Sequence, residues 1–409
     1  MDLNDTQRKL ISILIACANS GSKNGILGYG SCVEHLCFSE DVYCDVMELA
    51  KKQYVHDIIC NSGDDKRILN KVTKMRRIFA CSGAFEKLDR ENIRYAVLKG
   101  VHFAKQAYGD IGYRKSNDVD ILIDRKNIKK ALSIFKEEGF VQGSVDSEGV
   151  IEECGREKQM FLMLHSHQTY PMVKCLKNPR MSVVVDFNFE LFWGEKNQEA
   201  GSEKDVTGDG KPAAENKIFI DEFLEDAVLT RIGKARFKVL PKEKAMMQIC
   251  LHHYKDMNSI WLLYRGCPIL KLLCDIYFFA VNCFDGSDVT RFSDMVLRYS
   301  AEKYVYYIFY YTYKLFCGGS ISKGGVLKED TNGNNAFKND FLTGTLERLQ
   351  NTITGGFEFL DEFGLQEDEK RKWNVRFDER IFNESNDFFI RLLNESDMKK
   401  IEENKRYMM

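Results

Sequence analysis

Two aspartates, Asp118 and Asp120, stand two residues apart at the start of an apolar run. Side chains at positions i and i+2 of a strand point to the same face of a sheet, so both carboxylates can enter one site. The alternating residues Val119 and Ile121 then face a core. Carboxylate oxygens are ligands that Mg²⁺ prefers in proteins. The spacing therefore predicts a strand that presents two metal-binding carboxylates.

A third carboxylate, that of Asp186, follows the β-branched run 183–185 in a second strand-like segment, 182–191. Polar and apolar residues alternate after the run, which places Asp186 and Glu190 on one face. Asp186 stands at the end of the apolar part of its strand, and Asp118 stands at the start of the apolar part of the other strand. The two carboxylates can therefore meet at one edge of a sheet. We expect Asp186 to complete a carboxylate triad, with Glu190 as the alternative.

A glycine turn at Lys99 and Gly100 follows a short apolar strand. Glycine lets backbone N–H groups approach phosphate oxygens, and the helix predicted after it adds a positive N-terminal dipole. Lys99 and Arg114 are cationic candidates for a triphosphate, and Ser116 is a candidate hydroxyl donor. We favour Arg114, because a planar guanidinium can match phosphate oxygens in a bidentate manner.

The elements that position these residues alternate between strands and helices. In chain order, we predict a strand over 95–98, a helix over 101–107, a strand that carries Asp118 and Asp120, a helix over 126–138 that Gly139 ends, and the strand that carries Asp186. A long helical stretch precedes them, and its basic residues Lys71, Lys74, Arg76 and Arg77 are interpreted as a solvated face. This order predicts an α+β fold.

These motifs together resemble the bacterial uncharacterised nucleotidyltransferase family of the DNA polymerase β superfamily. The resemblance covers roughly residues 40–285 and rests on 97–100, Tyr108, Arg114, the run 118–123, the run 185–188, and the region from Val239 through the helix with His252 and His253 to Asp275. It implies a polymerase β-like core, a small mixed sheet with helices, flanked by N- and C-terminal helical domains.

The chain departs from the family pattern in two places. The turn reads Gly100-Val101, where the superfamily usually has Gly-Gly or Gly-Ser. The third strand reads Asp186-Phe187-Asn188, where the family commonly has Asp-x-His.

The resemblance implies Mg²⁺-dependent transfer of a nucleoside monophosphate from a nucleoside triphosphate to a hydroxyl, with release of pyrophosphate. Two Mg²⁺ ions about 4 Å apart can stabilise charge on the attacking and leaving oxygens. Asp118 and Asp120 would bridge both ions, whereas Asp186 would bind the ion that activates the acceptor and would take the acceptor's proton. ATP is the expected nucleotide, although no motif marks the base.

The acceptor is expected to be a small molecule first and a protein side chain second. The 59 basic and 61 acidic residues leave a net charge of -2, which gives nucleic acid no electrostatic footprint. The alternative function is a non-catalytic module that binds nucleotide or a partner protein in the same cleft. No motif marks an oligomeric state.

The thirteen cysteines lack a CxxC pair, and the first residues lack a secretory pattern, so we expect reduced thiols in a cytoplasmic protein. The most apolar segment, 260–284, carries Arg265, Lys271 and Asp275. Charges at that depth argue against a membrane span.

We predict four regions. They are an N-terminal helical region at 1–90, a catalytic domain at 91–240 with a mobile loop at 201–217, a helical domain at 241–318 that forms a substrate wall, and a linker with a helical tail at 319–409.

Histidines offer a second kind of metal chemistry. His165 and His167 share one face of a predicted strand, and His252 and His253 lie in a predicted helix. A zinc site needs further ligands, which the sequence does not place. We therefore expect structural histidines, with His165 or His167 lining the substrate cleft as the second choice.

Overall fold

A computed structural model describes most of the chain. The described residues are 3–21, 40–59, 65–146, 148–177, 180–191, 220–258, 264, 269–317, 320–321, 327–328, 339–350, 381–382, 393 and 395–408. The predicted loop at 201–217 lies outside them.

The chain divides into two compact units, each discontinuous in sequence. The sheet unit comprises Lys71–Phe103 and Ser116–Gln248, and the helical unit comprises Met1–Asn70, Ala104–Lys115 and Ile249–Met409. The four regions predicted from the sequence stay predictions.

Among the described residues, the sheet unit contains one mixed sheet of eight strands. In chain order they are β1 (Tyr95–Leu98), β2 (Val119–Ile123), β3 (Val141–Val145), β4 (Ile151–Glu153), β5 (Met172–Lys177), β6 (Arg180–Asn188), β7 (Val228–Ile232) and β8 (Ala235–Val239). Their spatial order is β4-β3-β5-β6-β2-β1-β8-β7. Strand β2 pairs antiparallel with β1 and parallel with β6, so the two predicted aspartate-bearing strands are neighbours.

Helices occur in both units. The described α-helices, in chain order, are α1 (Asp5–Gly21), α2 (Glu40–Lys52), α3 (His56–Ile59), α4 (Asp65–Ala80), α5 (Ser82–Arg90), α6 (Gly100–Tyr108), α7 (Ile128–Glu137), α8 (Arg156–His165), α9 (Ile220–Phe223), α10 (Lys242–Asn258), α11 (Ile269–Cys283), α12 (Asp288–Arg298), α13 (Glu302–Phe316), α14 (Asp340–Gln350) and α15 (Glu395–Met408). Together with the mixed sheet, they confirm the α+β class.

Aromatic rings fill the space between the sheet and the helices α5 and α7. Phe85 of α5 stacks on Tyr95 of β1 with ring centroids 5.4 Å apart. Phe135 of α7 lies edge-to-face against Phe187 of β6, with centroids 5.0 Å apart. Ile121 of β2 pairs with Phe187 in register, and both are fully buried. One face of the central strands is therefore an apolar core, and the alternate residues of β2 and β6 project from the other face.

The helical unit has its own aromatic core. Phe284 stacks on Phe341 of α14 with centroids 4.3 Å apart, and Phe292 of α12 stacks on Phe309 of α13 with centroids 5.7 Å apart.

In the described part of the chain, no helix combines the length and apolarity that crossing a membrane requires. The apolar helix α11 instead buries Asp275 within the helical unit.

Several local predictions are confirmed. The predicted strand at 95–98 is β1, and the predicted helix at 101–107 lies within α6. The predicted helix at 126–138 begins with a 3₁₀ turn that Asp124 caps through the Lys126 N–H, and Gly139 follows its end with φ +82°. A positive φ suits glycine, which explains why the helix stops there.

The predicted strand over His165 and His167 is wrong. Helix α8 runs through this segment and ends at His165. The residues before it, 159–164, are mostly glutamine, methionine and leucine, and include no β-branched residue. Such residues favour a helix over a strand.

Gly143 of β3 gives a test of the sheet edge. A Cβ at this position would stand 2.2 Å from the backbone oxygen of Glu152 on the paired strand β4. We expect Gly143→Ala to lower the free energy of unfolding by about 1–3 kcal/mol, because the backbone must shift to admit the methyl group. Urea denaturation measures this change.

Gly155→Ser is the control for that variant. A Cβ at Gly155 meets nothing within 4 Å, and the residue is the N-cap of α8, where serine is favoured. The control should stay within about 0.5 kcal/mol of the wild type. Equal stability of Gly143→Ala and wild type would contradict the close pairing of β3 with β4.

Candidate functional site

Two of the predicted metal-binding aspartates lie side by side in the sheet unit. Asp120 of β2 and Asp186 of β6 are direct partners in the parallel register, so their side chains project from the same face. Their sequence neighbours Ile121 and Phe187 face the apolar core, which places the carboxylates on the opposite face. Asp118 lies immediately before β2. The register thus pairs Asp186 with Asp120 rather than with Asp118.

Hydrogen-bond donors surround Asp120. The Lys99 ammonium Nζ lies 3.2 Å from Asp120 Oδ2, and the Asn188 amide Nδ2 donates to Asp120 Oδ1 at 3.3 Å. Neighbouring carboxylates repel each other, and a cation within ion-pair distance offsets that repulsion. Asn188 occupies the position at which the family commonly has histidine, and it contributes a donor to the carboxylate site.

The turn after β1 has an unusual backbone. Lys99 and Gly100 both adopt left-handed φ values, +44° and +59°. For a non-glycine residue such a conformation costs of order 1–3 kcal/mol, and this kind of strain concentrates at functional sites. Helix α6 begins at Gly100, and a Cβ added there would meet nothing within 4 Å. The space beside Gly100 is therefore open at the N-terminus of α6, where helices can bind anions.

Arg77 of α4 is a site residue that sequence reasoning missed. Its guanidinium Nη1 donates to the backbone oxygen of Ser116 at 2.7 Å. Burial lowers the pKa of Arg77, and the negative charge of Asp118 raises it. Arg77 belongs to the basic run on α4, which the sequence alone assigns to a solvated face. No local sequence pattern marks it, and the structure shows that this basic run is not all exposed, because Lys74, three residues earlier, is also buried.

Glu190, the alternative third carboxylate, lies beyond the end of β6. Its Oε1 accepts a hydrogen bond from Arg125 Nη1 at 3.1 Å in an exposed ion pair. Asp186, and not Glu190, is therefore the partner of Asp120.

Arg114 belongs to the helical unit, where its guanidinium binds Asp275. The Nε–Oδ1 and Nη2–Oδ2 distances are 2.8 and 2.9 Å, and the two side chains are 7% and 0% exposed. The sequence predicts that Arg114 binds phosphate in a bidentate manner. In the structure its guanidinium instead makes two hydrogen bonds to the carboxylate of Asp275. We therefore assign Arg114 to this buried ion pair.

Two further groups complete the surroundings of Asp275. The Tyr108 hydroxyl donates to Oδ1 at 2.7 Å, and His253 Nε2 lies 3.3 Å from Oδ2. Burial raises the pKa of Asp275, but Arg114 and His253 outweigh burial and hold that pKa well below its usual range. Asp275 is therefore an ionised carboxylate inside the helical unit.

A family model described as "uncharacterised nucleotidyltransferase" matches residues 41–317, which is more than half of the chain. No curated protein and no solved structure matches. The matched residues include the three aspartates, the Lys99 turn and the Arg114–Asp275 pair. The resemblance to an uncharacterised nucleotidyltransferase family is thereby confirmed.

Asp275→Asn tests the buried ion pair. We expect it to lower the free energy of unfolding at neutral pH by about 3–5 kcal/mol, because it leaves the Arg114 charge buried and uncompensated. The folded-state pKa of Asp275 is depressed, so its contribution is complete above the unfolded pKa of about 3.9 and is lost as pH falls through the folded pKa. The stability difference between wild type and variant should be constant down to about pH 5 and shrink below about pH 4.

Asp294→Asn is the matched control within the helical unit. Asp294 pairs with Arg348 at 2.7 Å, but both side chains are about half exposed. Removing such a pair costs at most about 1 kcal/mol. The two variants could instead lose the same free energy of unfolding at every pH. That result would overturn the assignment of a depressed pKa to Asp275.

Proposed function

The chain belongs to this nucleotidyltransferase family, and we propose that it transfers a nucleoside monophosphate from a nucleoside triphosphate to a hydroxyl group of an acceptor. Pyrophosphate is the second product. The observation that carries the proposal is the register between β2 and β6, which makes Asp120 and Asp186 direct neighbours. Asp118, two residues before Asp120, supplies the third carboxylate.

The proposal extends to the fold of the sheet unit, which we assign to the polymerase β-like class. The sequence of elements supports it: β1 ends in the Lys99 turn, α6 follows, and β2 returns antiparallel to β1 with its aspartates. The parallel partner β6 then carries the third aspartate.

The donor set suits Mg²⁺. Mg²⁺ takes carboxylate oxygens, phosphate oxygens and water, and Asp118, Asp120 and Asp186 offer carboxylates from two adjacent strands. The Lys99 ammonium beside Asp120 indicates that positive charge is favoured at this face. Two Mg²⁺ ions, when bound by these carboxylates, would neutralise the charge on the phosphate oxygens.

The chain's own residues then have distinct roles. Asp186 accepts the proton of the acceptor hydroxyl. The hydroxyl oxygen forms a bond to the α-phosphorus, and the bond between the α-phosphorus and pyrophosphate breaks. Lys99 places positive charge near the triphosphate, while the N–H groups at Gly100 and the Ser116 hydroxyl donate to its oxygens. Arg77 offsets the charge of Asp118 and is a positioning residue.

We propose ATP as the nucleotide and a small molecule as the acceptor, with a protein side chain as the second choice. The net charge of -2 supports a small acceptor over nucleic acid. A cytoplasmic setting suits the described cysteines, which are free thiols.

Label transfer tests the proposed reaction. The protein is incubated with each α-phosphate-labelled nucleoside triphosphate, Mg²⁺ and a cell extract. We expect a labelled acceptor with wild type. Asp118→Asn should abolish labelling because it removes a metal ligand charge, and Asp186→Asn should slow labelling about 10²–10⁴-fold because it removes the general base.

Asp124→Asn is the control for these variants. Asp124 directly follows β2 and caps the 3₁₀ turn through the Lys126 N–H, a role that asparagine also fills. It should label as the wild type does. The wild type could instead bind nucleotide in a Mg²⁺-dependent manner while neither it nor any variant transfers label. That result would contradict catalysis and favour a non-catalytic nucleotide-binding module.

Gly100→Ala tests the phosphate-binding turn. The substitution forces alanine into a left-handed conformation and places a methyl group beside the first N–H groups of α6. We expect Mg²⁺-ATP binding, measured by isothermal titration calorimetry, to weaken by about 1.5–3 kcal/mol, the contribution of a hydrogen bond to a charged group.

Gly139→Ala separates strain from phosphate contact. Gly139 also has a positive φ and lies in the same sheet unit, at the end of α7. Both variants should lose a similar stability, of order 1–2 kcal/mol. Only Gly100→Ala should lose nucleotide affinity, and equal affinities in the two variants would refute the role of the turn.

A further inference from the structure

Three potential metal ligands meet on helix α10 in the helical unit. His252, His253 and Asp256 each present one ligand atom, and these atoms lie within 4.8 Å of one another. Residues three and four positions apart are neighbours on a helix surface, which explains why Asp256 joins the histidine pair. No local sequence pattern marks a third ligand for these histidines, and the structure supplies Asp256.

The cluster has the chemistry of a zinc site. His252 Nε2 lies 2.9 Å from Asp256 Oδ2, and the rings of His252 and His253 have centroids 5.7 Å apart. Two imidazoles and one carboxylate form a three-ligand set that Zn²⁺ uses when its fourth position holds water or another small ligand. These nitrogen donors distinguish the cluster from the all-carboxylate set Asp118, Asp120 and Asp186.

A second carboxylate orients one of the histidines. His253 Nε2 lies 3.3 Å from Asp275 Oδ2, and the His253 side chain is 1% exposed. Metal-binding histidines commonly donate one ring N–H to a carboxylate, which fixes the ring orientation and raises the basicity of the ligand. Asp275 is itself held by Arg114 and Tyr108, so the orienting group is rigid. The buried network thus supports the ring that faces the cluster.

The cluster is open on one side. His252 and Asp256 are 23% and 18% exposed, so an ion can reach them from solvent while His253 anchors it from within. Lys255 Nζ lies 3.5 Å from Asp256 Oδ1. Asp256 therefore presents its other oxygen, Oδ2, toward His252.

We propose that His252, His253 and Asp256 bind one Zn²⁺ ion in the helical unit. Asp275 acts as the carboxylate that positions His253. The site is independent of the proposed nucleotidyl transfer, because none of its residues has a role in that reaction.

Co²⁺ absorption of the full-length protein tests the site, with Zn²⁺ competition to measure affinity. We expect one equivalent of Co²⁺ to give visible d–d bands without thiolate-to-cobalt charge transfer, because the ligands are nitrogen and oxygen. His252→Gln and Asp256→Asn should each weaken Zn²⁺ binding at least about 100-fold, more than the loss of an orienting carboxylate does. Both positions are partly exposed, and far-UV circular dichroism verifies that the variants fold.

His56→Gln is the matched control. His56 of α3 lies in the same unit, and its Nδ1 is 3.7 Å from Asp57 Oδ1, so it has an acidic neighbour outside the cluster. This variant should bind one Zn²⁺ with wild-type affinity. The proposal is overturned if wild type binds neither ion, if His252→Gln and Asp256→Asn bind as well as wild type, or if the cobalt spectrum shows thiolate ligation.

Discussion

The parallel register of β2 against β6, which holds two carboxylates side by side, is the constraint on which the candidate site depends. The pairing of Asp120 with Asp186 follows from the register of β2 against β6, whose alternate residues are packed in the aromatic core. A shift of one residue in either strand would turn its aspartate toward the aromatic core, so the core specifies the register and thereby the site. The repulsion between the two carboxylates requires positive charge nearby. Lys99 lies next to Asp120, at a turn whose left-handed backbone lets α6 begin where β1 ends.

Acidic groups in the two units have different surroundings. Asp275 has Arg114, Tyr108 and His253 around it, so its charge is compensated within the protein. Asp120 and Asp186 face each other with one ammonium and one amide beside Asp120. A carboxylate held by a guanidinium and a hydroxyl stabilises a fold or orients a neighbour, whereas carboxylates that lie side by side on adjacent strands suit divalent cations.

Local sequence patterns predict much of the order of strands and helices along the sheet unit but not the long-range contacts. The boundaries of β1, the helix α6 and the stop at Gly139 follow from short-range rules of apolar spacing and glycine backbone freedom. Asp275, the partner of Arg114, is 161 residues away in the sequence. No local sequence pattern shows whether the Arg114 guanidinium binds a carboxylate or a phosphate. Arg77 shows the same limit, because helical periodicity separates apolar from polar faces and cannot tell which polar residue meets a site.

The central claim is that Asp118, Asp120 and Asp186 together hold the metal ions that bind a nucleoside triphosphate. A crystal structure with Mn²⁺ and a non-hydrolysable ATP analogue tests it most directly, since the anomalous signal locates the ions. We predict Mn²⁺ bound by these three carboxylates, with the triphosphate at the Gly100 turn. Mn²⁺ and nucleotide bound at other residues, with the carboxylates free of metal, would contradict the account.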